Sequence, residues 1–346
     1  MDTLLRVVFA AFVMLLGARA PAASGDVAPH PLGDMLAASQ ARMVKVYGAG
    51  GVRGLEGYQT GFLISAQGHI LTVWSHVLDA DEVTIHLADG RRMAAKTLGA
   101  DPRVEVAVLK IEASGLPYFD LKRAPKADLG TRVFALSNMF GVATGNEPTS
   151  VQRGTIAAAT RLEARRGTFD TPYHGAVYVL DVVTGNPGAA GGALIDRDGQ
   201  LVGILGKELR NALNNTWLNY AIPIDAIRDS VEQIEAGKFV ARASDEGRKK
   251  PPRSLTLAML GVVLIPNVVE RTPPYVDRVL PDSPAEKAGI APDDLVVLVG
   301  SRLTQSVKMV QNELQWIDAE DEVRLTILRG QDMKEFTLNA KGTAKR

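Results

Sequence analysis

Few residues of this chain are equipped for chemistry. It has five histidines among 346 residues and no cysteine. Without a thiol, disulfides, thiolate nucleophiles and Cys-based zinc or iron–sulfur sites are excluded. His69, His76, His86 and His174 show no ligand spacing such as H-E-x-x-H, so no metal is predicted. The sequence holds no Walker loop and no dinucleotide fingerprint, so no cofactor is predicted either. What remains is histidine base chemistry and backbone N–H groups presented by glycine turns. A lone histidine beside a tryptophan, as at Trp74-Ser75-His76, is most often a hydrogen-bonded structural residue.

The elements that must position these groups read mainly as β. Short apolar runs at 61–64, 70–74, 83–87, 104–111, 131–137, 151–157, 178–182, 193–195 and 201–205 are separated by Gly and Asp turns. Many short strands with few helices predict a barrel or sandwich. Residues 35–46 have roughly helical apolar spacing and predict a short helix. A second helix is predicted over 225–240, with Asp225 as its cap.

Length predicts about two domains. The first 23 residues read as a secretory signal, with an apolar run at 7–16 and small residues at 18–23. A short N-terminal membrane anchor is the alternative. Residues 34–240 form the predicted body. Residues 241–253 carry five bases and two prolines and read as a linker. A second, smaller domain is predicted over 254–340, with an apolar β run at 255–265 and a helix at 307–316. The 39 Lys+Arg balance 39 Asp+Glu, which gives no support to a nucleic-acid partner.

Three segments of the body resemble the trypsin-like domain of the bacterial DegP/HtrA family of periplasmic proteases. I-L-T-V-W-S-H-V at 70–77 sits where the family has a strand ending in its catalytic histidine, here His76. D-P-R-V-E-V-A-V-L-K at 101–110 sits on D-P-x-x-D-L-A-V-L-K, so the catalytic aspartate falls on Glu105. N-P-G-A-A-G-G-A at 186–193 sits on N-P-G-N-S-G-G-P, so the nucleophilic serine falls on Ala190. In the second domain, L-G-V-V at 260–263 and V-L-P-D-S-P-A-E-K-A-G-I at 279–290 resemble the family's PDZ domain. The resemblance covers about residues 38–343. It implies a trypsin-like double β-barrel followed by a PDZ domain, in a periplasmic or secreted protein.

The resemblance carries the chemistry over only in part. Acyl transfer needs an activated nucleophile, and the Ala190 methyl offers none. Glu105 keeps a charge but is one methylene longer than aspartate. A misplacement of about 1 Å in such a network is worth about a hundredfold in rate. The backbone N–H groups of Gly188 and Ala190 remain as an expected oxyanion hole. Ser75 and Thr184 lie nearby in sequence without the surrounding elbow. The family's G-I-G-F-A-I-P falls on W-L-N-Y-A-I-P at 217–223, so Trp217 and Asn219 are expected in the specificity cleft. The Trp217 indole is expected to narrow or plug it, and it reads equally as a core aromatic.

The second domain implies a positive function. In the PDZ pattern a peptide adds as a strand beside Val262 and Val263. Its carboxylate is held by backbone N–H groups of Met259, Leu260 and Gly261. The expected function is therefore an inactive HtrA-like homologue that binds peptides, protein C-termini or unfolded segments. It would act as a scaffold or as a regulator of an active paralogue. The alternatives are an active serine endopeptidase with atypical site residues and a purely structural subunit. By resemblance, a homo-oligomer, a trimer in particular, is implied.

Overall fold

A computed structural model describes residues 31–50, 56–80, 82–166, 169–171, 173–238, 249–267, 272–300 and 302–340. The expected signal at 1–23 lies outside the described residues, as does most of the expected linker. The described residues from Met35 onward belong to one compact unit.

Helix α1 runs over Pro31–Gln40 and gives way at once to strand β1, Met43–Tyr47. The expected helix over 35–46 is corrected here. M-V-K-V-Y is rich in β-branched and aromatic residues, which suit a pleated surface better than a helix. Strands β2 (Tyr58–Leu63), β3 (His69–Val73), β4 (Val83–Leu87), β5 (Arg92–Asp101) and β6 (Val106–Ile111) follow. They close a barrel in the order β1-β2-β3-β6-β5-β4. Strand β4 shows why: V-T-I-H-L alternates buried and half-buried, so one face lines the interior.

A second closed barrel is built from β7 (Arg132–Ser137), β8 (Ser150–Arg161), β11 (Ala176–Leu180), β12 (Ala193–Asp196), β13 (Leu201–Leu205) and β15 (Tyr220–Pro223). Its order is β11-β15-β13-β12-β7-β8. Beside it, β9 (Ala164–Arg166), β10 (Phe169–Asp170) and β14 (Arg210–Asn211) make a small sheet. The two barrels share a core. Phe62, Leu71 and Val106 from the first meet Phe134, Leu136 and Ile222 from the second, all buried. Each such side chain contributes about 1.5–3 kcal/mol through its removal from water.

Helix α2, Ile224–Glu235, covers this shared core with Ile227, Val231 and Ile234. The sequence expectation of 225–240 is shortened, and Asp225 is not the cap. Pro223 holds that position without a side-chain bond, and Asp225 lies in the first turn. There its charge faces the positive end of the helix dipole.

The second module begins with α3, Leu257–Leu260, then β16, Val262–Leu264. The single β run expected at 255–265 is therefore divided. Thr256 caps α3 by accepting from Met259 N, and Gly261 ends it at φ 77°. An N-cap threonine and a left-handed glycine are standard helix boundaries, and they outweigh the apolar run. The rest comprises β17 (Val276–Val279), α4 (Pro284–Ala288), β18 (Leu295–Val299), β19 (Arg302–Leu303), α5 (Val307–Leu314), β20 (Glu322–Arg329) and β21 (Asp332–Asn339). Strands β16 and β17 pair with each other, and the other four form the sheet β19-β18-β20-β21.

Candidate functional site

His76, Glu105 and Ala190 lie on connections of the two barrels, which are bridged in the cleft between them by the Thr60–Ala190 and Glu105–Lys207 bonds. His76 opens a 3-10 turn, His76–Asp79, that follows β3. Ser75 caps this turn by accepting from Val77 N at 3.1 Å. The Ser75 hydroxyl in turn donates to Gln59 Oε1. Gln59 is buried and donates to Thr72 Oγ1 at 2.8 Å and to the Val73 carbonyl at 2.9 Å. A closed amide–hydroxyl network thus lies under the histidine turn. His76 Nε2 lies 2.8 Å from the Glu56 carbonyl. A carbonyl only accepts, so Nε2 must carry the proton and donate. A general base serving a nucleophile needs that nitrogen unprotonated and aimed at the hydroxyl.

Glu105 lies between β5 and β6, buried, with φ 54°. Its backbone carbonyl accepts from Trp74 N at 2.8 Å, which sets it beside the histidine strand. Its carboxylate faces other partners. Lys207 Nζ lies 2.6 Å from Oε1, and the Thr171 hydroxyl donates to Oε2 at 2.9 Å. Burial and the nearby Glu105 charge push the Tyr220 phenol well above its ordinary range, so it stays neutral. Tyr220 Oη accepts from Lys207 N at 3.1 Å.

Ala190 closes the glycine turn. Its carbonyl accepts from Thr60 N at 3.0 Å, which ties the turn to β2. Gly188 and Gly191 have φ of 84° and 82°. A Cβ at Gly191 would stand 2.1 Å from the Thr60 carbonyl, and one at Gly188 would stand 2.2 Å from the Asn138 carbonyl. Both positions therefore require glycine on two counts. The Pro187 carbonyl accepts from Phe140 N at 2.7 Å. In a trans peptide the following N–H points the opposite way, so the Gly188 N–H faces away from Phe140.

The expected cleft residues behave differently from each other. Asn219 Oδ1 accepts from both Thr184 N and Gly185 N at 2.9 Å, so its side chain shapes the 184–186 wall. Trp217 is 51% exposed, with the Arg210 guanidinium 4.2 Å from its ring centroid. An indole filling a pocket would be buried. The expectation of a plugged cleft is corrected: the cation–π partner holds the ring at the surface.

In the second module, the expected carboxylate turn is engaged with itself. Met259 N donates to the Thr256 carbonyl at 3.1 Å, Leu260 N to the same oxygen at 3.4 Å, and Gly261 N to the Ala258 carbonyl at 3.2 Å. The expectation that these donors face a ligand does not describe this state. The edge of β16 is different. Leu280 N donates to the Gly261 carbonyl and Ile265 N to the Tyr275 carbonyl. Val262 and Leu264 are opposite Val279 and Val276 at the intervening positions. Their backbone groups therefore point away from β17, along an edge with no strand on it among the described residues.

Sequence reasoning missed two further residues. Gln305 donates to the Ser75 carbonyl at 3.1 Å and to Asp79 Oδ1 at 2.7 Å. Leu303 packs against the cluster of Trp74, Ala100 and Ala107. The second module is thereby seated on the turn that carries His76. No local pattern signals either contact, because the partners lie 196 to 230 residues apart in sequence. Among the described residues no group of His, Asp and Glu side chains converges to hold a metal ion.

Residues 59–204 match the family model of the trypsin-like peptidase domain, and residues 275–329 match that of the PDZ domain. The chain is 28% identical over 291 residues to a probable periplasmic serine endoprotease, DegP-like, of Halomonas elongata. That alignment covers 81% of this chain and 55% of the relative. A protein of the same description from Pseudomonas fulva is 31% identical over 255 residues, covering 72% and 48%. The chain spans about half the length of the curated relatives it matches. The crystal structure of a serine endoprotease from Yersinia pestis aligns with TM-score 0.47 at 23% identity, covering 90% of this chain and 97% of that one. With the two closed barrels and the sheets that follow them, the two family-model matches and the DegP-like relatives make the chain a DegP/HtrA-like protein, a trypsin-like domain joined to a PDZ domain.

Proposed function

We propose that this protein binds extended polypeptide segments and has lost peptide hydrolysis. One observation carries the reading: the nucleophile position holds the methyl of Ala190. The geometry around it supports the same reading, since His76 Nε2 donates to a carbonyl and the Glu105 carboxylate is engaged by Lys207 and Thr171. The body over 34–240 then serves as a scaffold. The module over 254–340 takes the ligand by strand addition on the β16 edge. A protein C-terminus needs the 259–261 turn to open first, whereas a mid-chain segment does not. The relatives are named periplasmic, and we place this protein in the periplasm or outside the cell, as a holder of segments or a partner of an active paralogue.

A second reading, an active serine endopeptidase, is favoured by the names of the relatives. A fluorophosphonate probe and casein turnover separate the two. The binding reading expects no labelling and no cleavage. Labelling of any residue that disappears on His76→Ala would establish the active reading instead. Binding is tested on a peptide array with Leu264→Pro, which removes one outward N–H and no bond to β17. Loss of binding supports the β16 edge, and unchanged binding removes it.

A further inference from the structure

The acid position of this cleft carries a feature that loss of the nucleophile alone does not explain. Glu105 adopts φ 54°, in a region that L-residues avoid. Such a residue persists only where its surroundings hold it. Its side chain is 11% exposed and that of Lys207 16%, so both charges are largely out of water. Removing either one would leave the other buried and uncompensated. The pair also spans the cleft. Glu105 comes from the β5–β6 connection of the first barrel, whereas Lys207 follows β13 of the second. Thr171, beside β10, supplies the other hydrogen bond.

We propose that Lys207 is a positioning residue that draws the Glu105 carboxylate into a brace between the two barrels and so withholds it from His76. The additional methylene of Glu relative to Asp supplies reach toward the second barrel. The acid position then serves cohesion of the cleft, and a hydroxyl restored at position 190 would still lack its acid. This goes beyond the binding reading, because it concerns which group holds the acid rather than which ligand is bound.

The test is an NMR titration of the His76 imidazole in the full chain, with His76→Asn to assign the resonance. Asp79 on the same turn and the Glu56 segment contribute equally in every variant. Lys207→Arg, and Glu105→Gln combined with Lys207→Met so that both charges are removed, are expected to leave the His76 midpoint within about 0.3 unit of the parent. Lys207→Met is expected to raise it by about one unit, because the released carboxylate favours the imidazolium. Adding Glu105→Gln should cancel that rise. A fall of about one unit in the double variant, or no rise in a folded Lys207→Met, would overturn the proposal. If Lys207→Met does not fold, the double variant, which leaves no unpaired charge, decides the matter with Lys207→Arg as folded control. Probe labelling gives a second readout. Ala190→Ser alone should stay unlabelled, and Glu105-dependent labelling of that single variant would also refute the brace.

Discussion

Gln305 and Asp79 are joined by a 2.7 Å hydrogen bond that crosses from the PDZ module to the histidine turn. The same Gln305 amide reaches the Ser75 carbonyl, which also accepts from Leu78 N. Gln305 directly precedes Ser306, the cap of α5. Gln305→Ala removes both bonds, each worth about 1 kcal/mol. Hydrogen exchange at the Leu78 amide should accelerate roughly tenfold, while amides of β20 and β21 keep their protection. Leu303→Asp should accelerate it further by disturbing the contact with Trp74. Unchanged exchange in both variants would mean that the module does not rest on this turn in solution.

Gly191 fixes the turn that carries Ala190. With φ 82° and a Thr60 carbonyl 2.1 Å from the added Cβ, Gly191→Ala must shift backbone rather than a side chain. The expected loss is about 3 kcal/mol in urea denaturation, from the left-handed conformation and the clash together. The Thr60 amide, which donates to Ala190, should lose exchange protection in parallel. Gly330→Ala is a useful comparison, because nothing lies within 4 Å of its added Cβ. It bears the conformational part of the loss alone.

Lys45 is a buried lysine in β1 that donates to the Gly145 and Glu147 carbonyls at 2.7 and 2.6 Å. Those carbonyls belong to the β7–β8 connection, so the ammonium ties one barrel to the other. Lys45→Ala should lose about 3 kcal/mol of stability, the usual range for charged hydrogen bonds plus lost packing. Lys45→Met keeps the aliphatic stem and should lose about half as much. Equal losses would show that the ammonium alone carries the tie, and no loss in Lys45→Met would show that the stem does.

His86 packs against Tyr47 with ring centroids 4.5 Å apart and planes tilted by 42°, and its Nδ1 meets the Thr144 carbonyl at 3.0 Å. Burial pulls its pKa below 6.5 despite that bond. The unfolded chain therefore takes up this proton first as pH falls. Stability from neutral His86 is full above about pH 6.5 and declines as pH drops through the folded value. His86→Gln should flatten the stability–pH curve in that window, measured by urea titration at pH 7 and pH 5. A curve as steep as the parent's would assign the proton elsewhere.

The barrels were legible because strand length, alternation and Gly turns are local signals, as in V-T-I-H-L of β4. The resemblance at His76, Glu105 and Ala190 could be read because each lies inside a short motif. What the motifs could not show was where side chains go. Glu105 meets Lys207 across 102 residues, and no spacing rule pairs them. Trp217 was expected inward, because nothing in W-L-N-Y announces an arginine stacked on the ring. The helix at 257–260 was signalled by Thr256 and Gly261 and was masked by the apolar run around them. M-V-K-V-Y similarly carried a strand signal that the spacing of Met35, Leu36 and Met43 obscured.

The inward-turned donors at 259–261 bear on the grammar of whatever lies on the β16 edge. A strand held by backbone bonds alone has no fixed phase. Moving it two residues restores every hydrogen bond and returns each side chain to the same face. A long segment then offers several equivalent placements. With about five of them the apparent association constant rises about fivefold by statistics alone, near 1 kcal/mol. Such an edge behaves as a rail along which a chain slides, and it discriminates by length and extension before it discriminates by sequence.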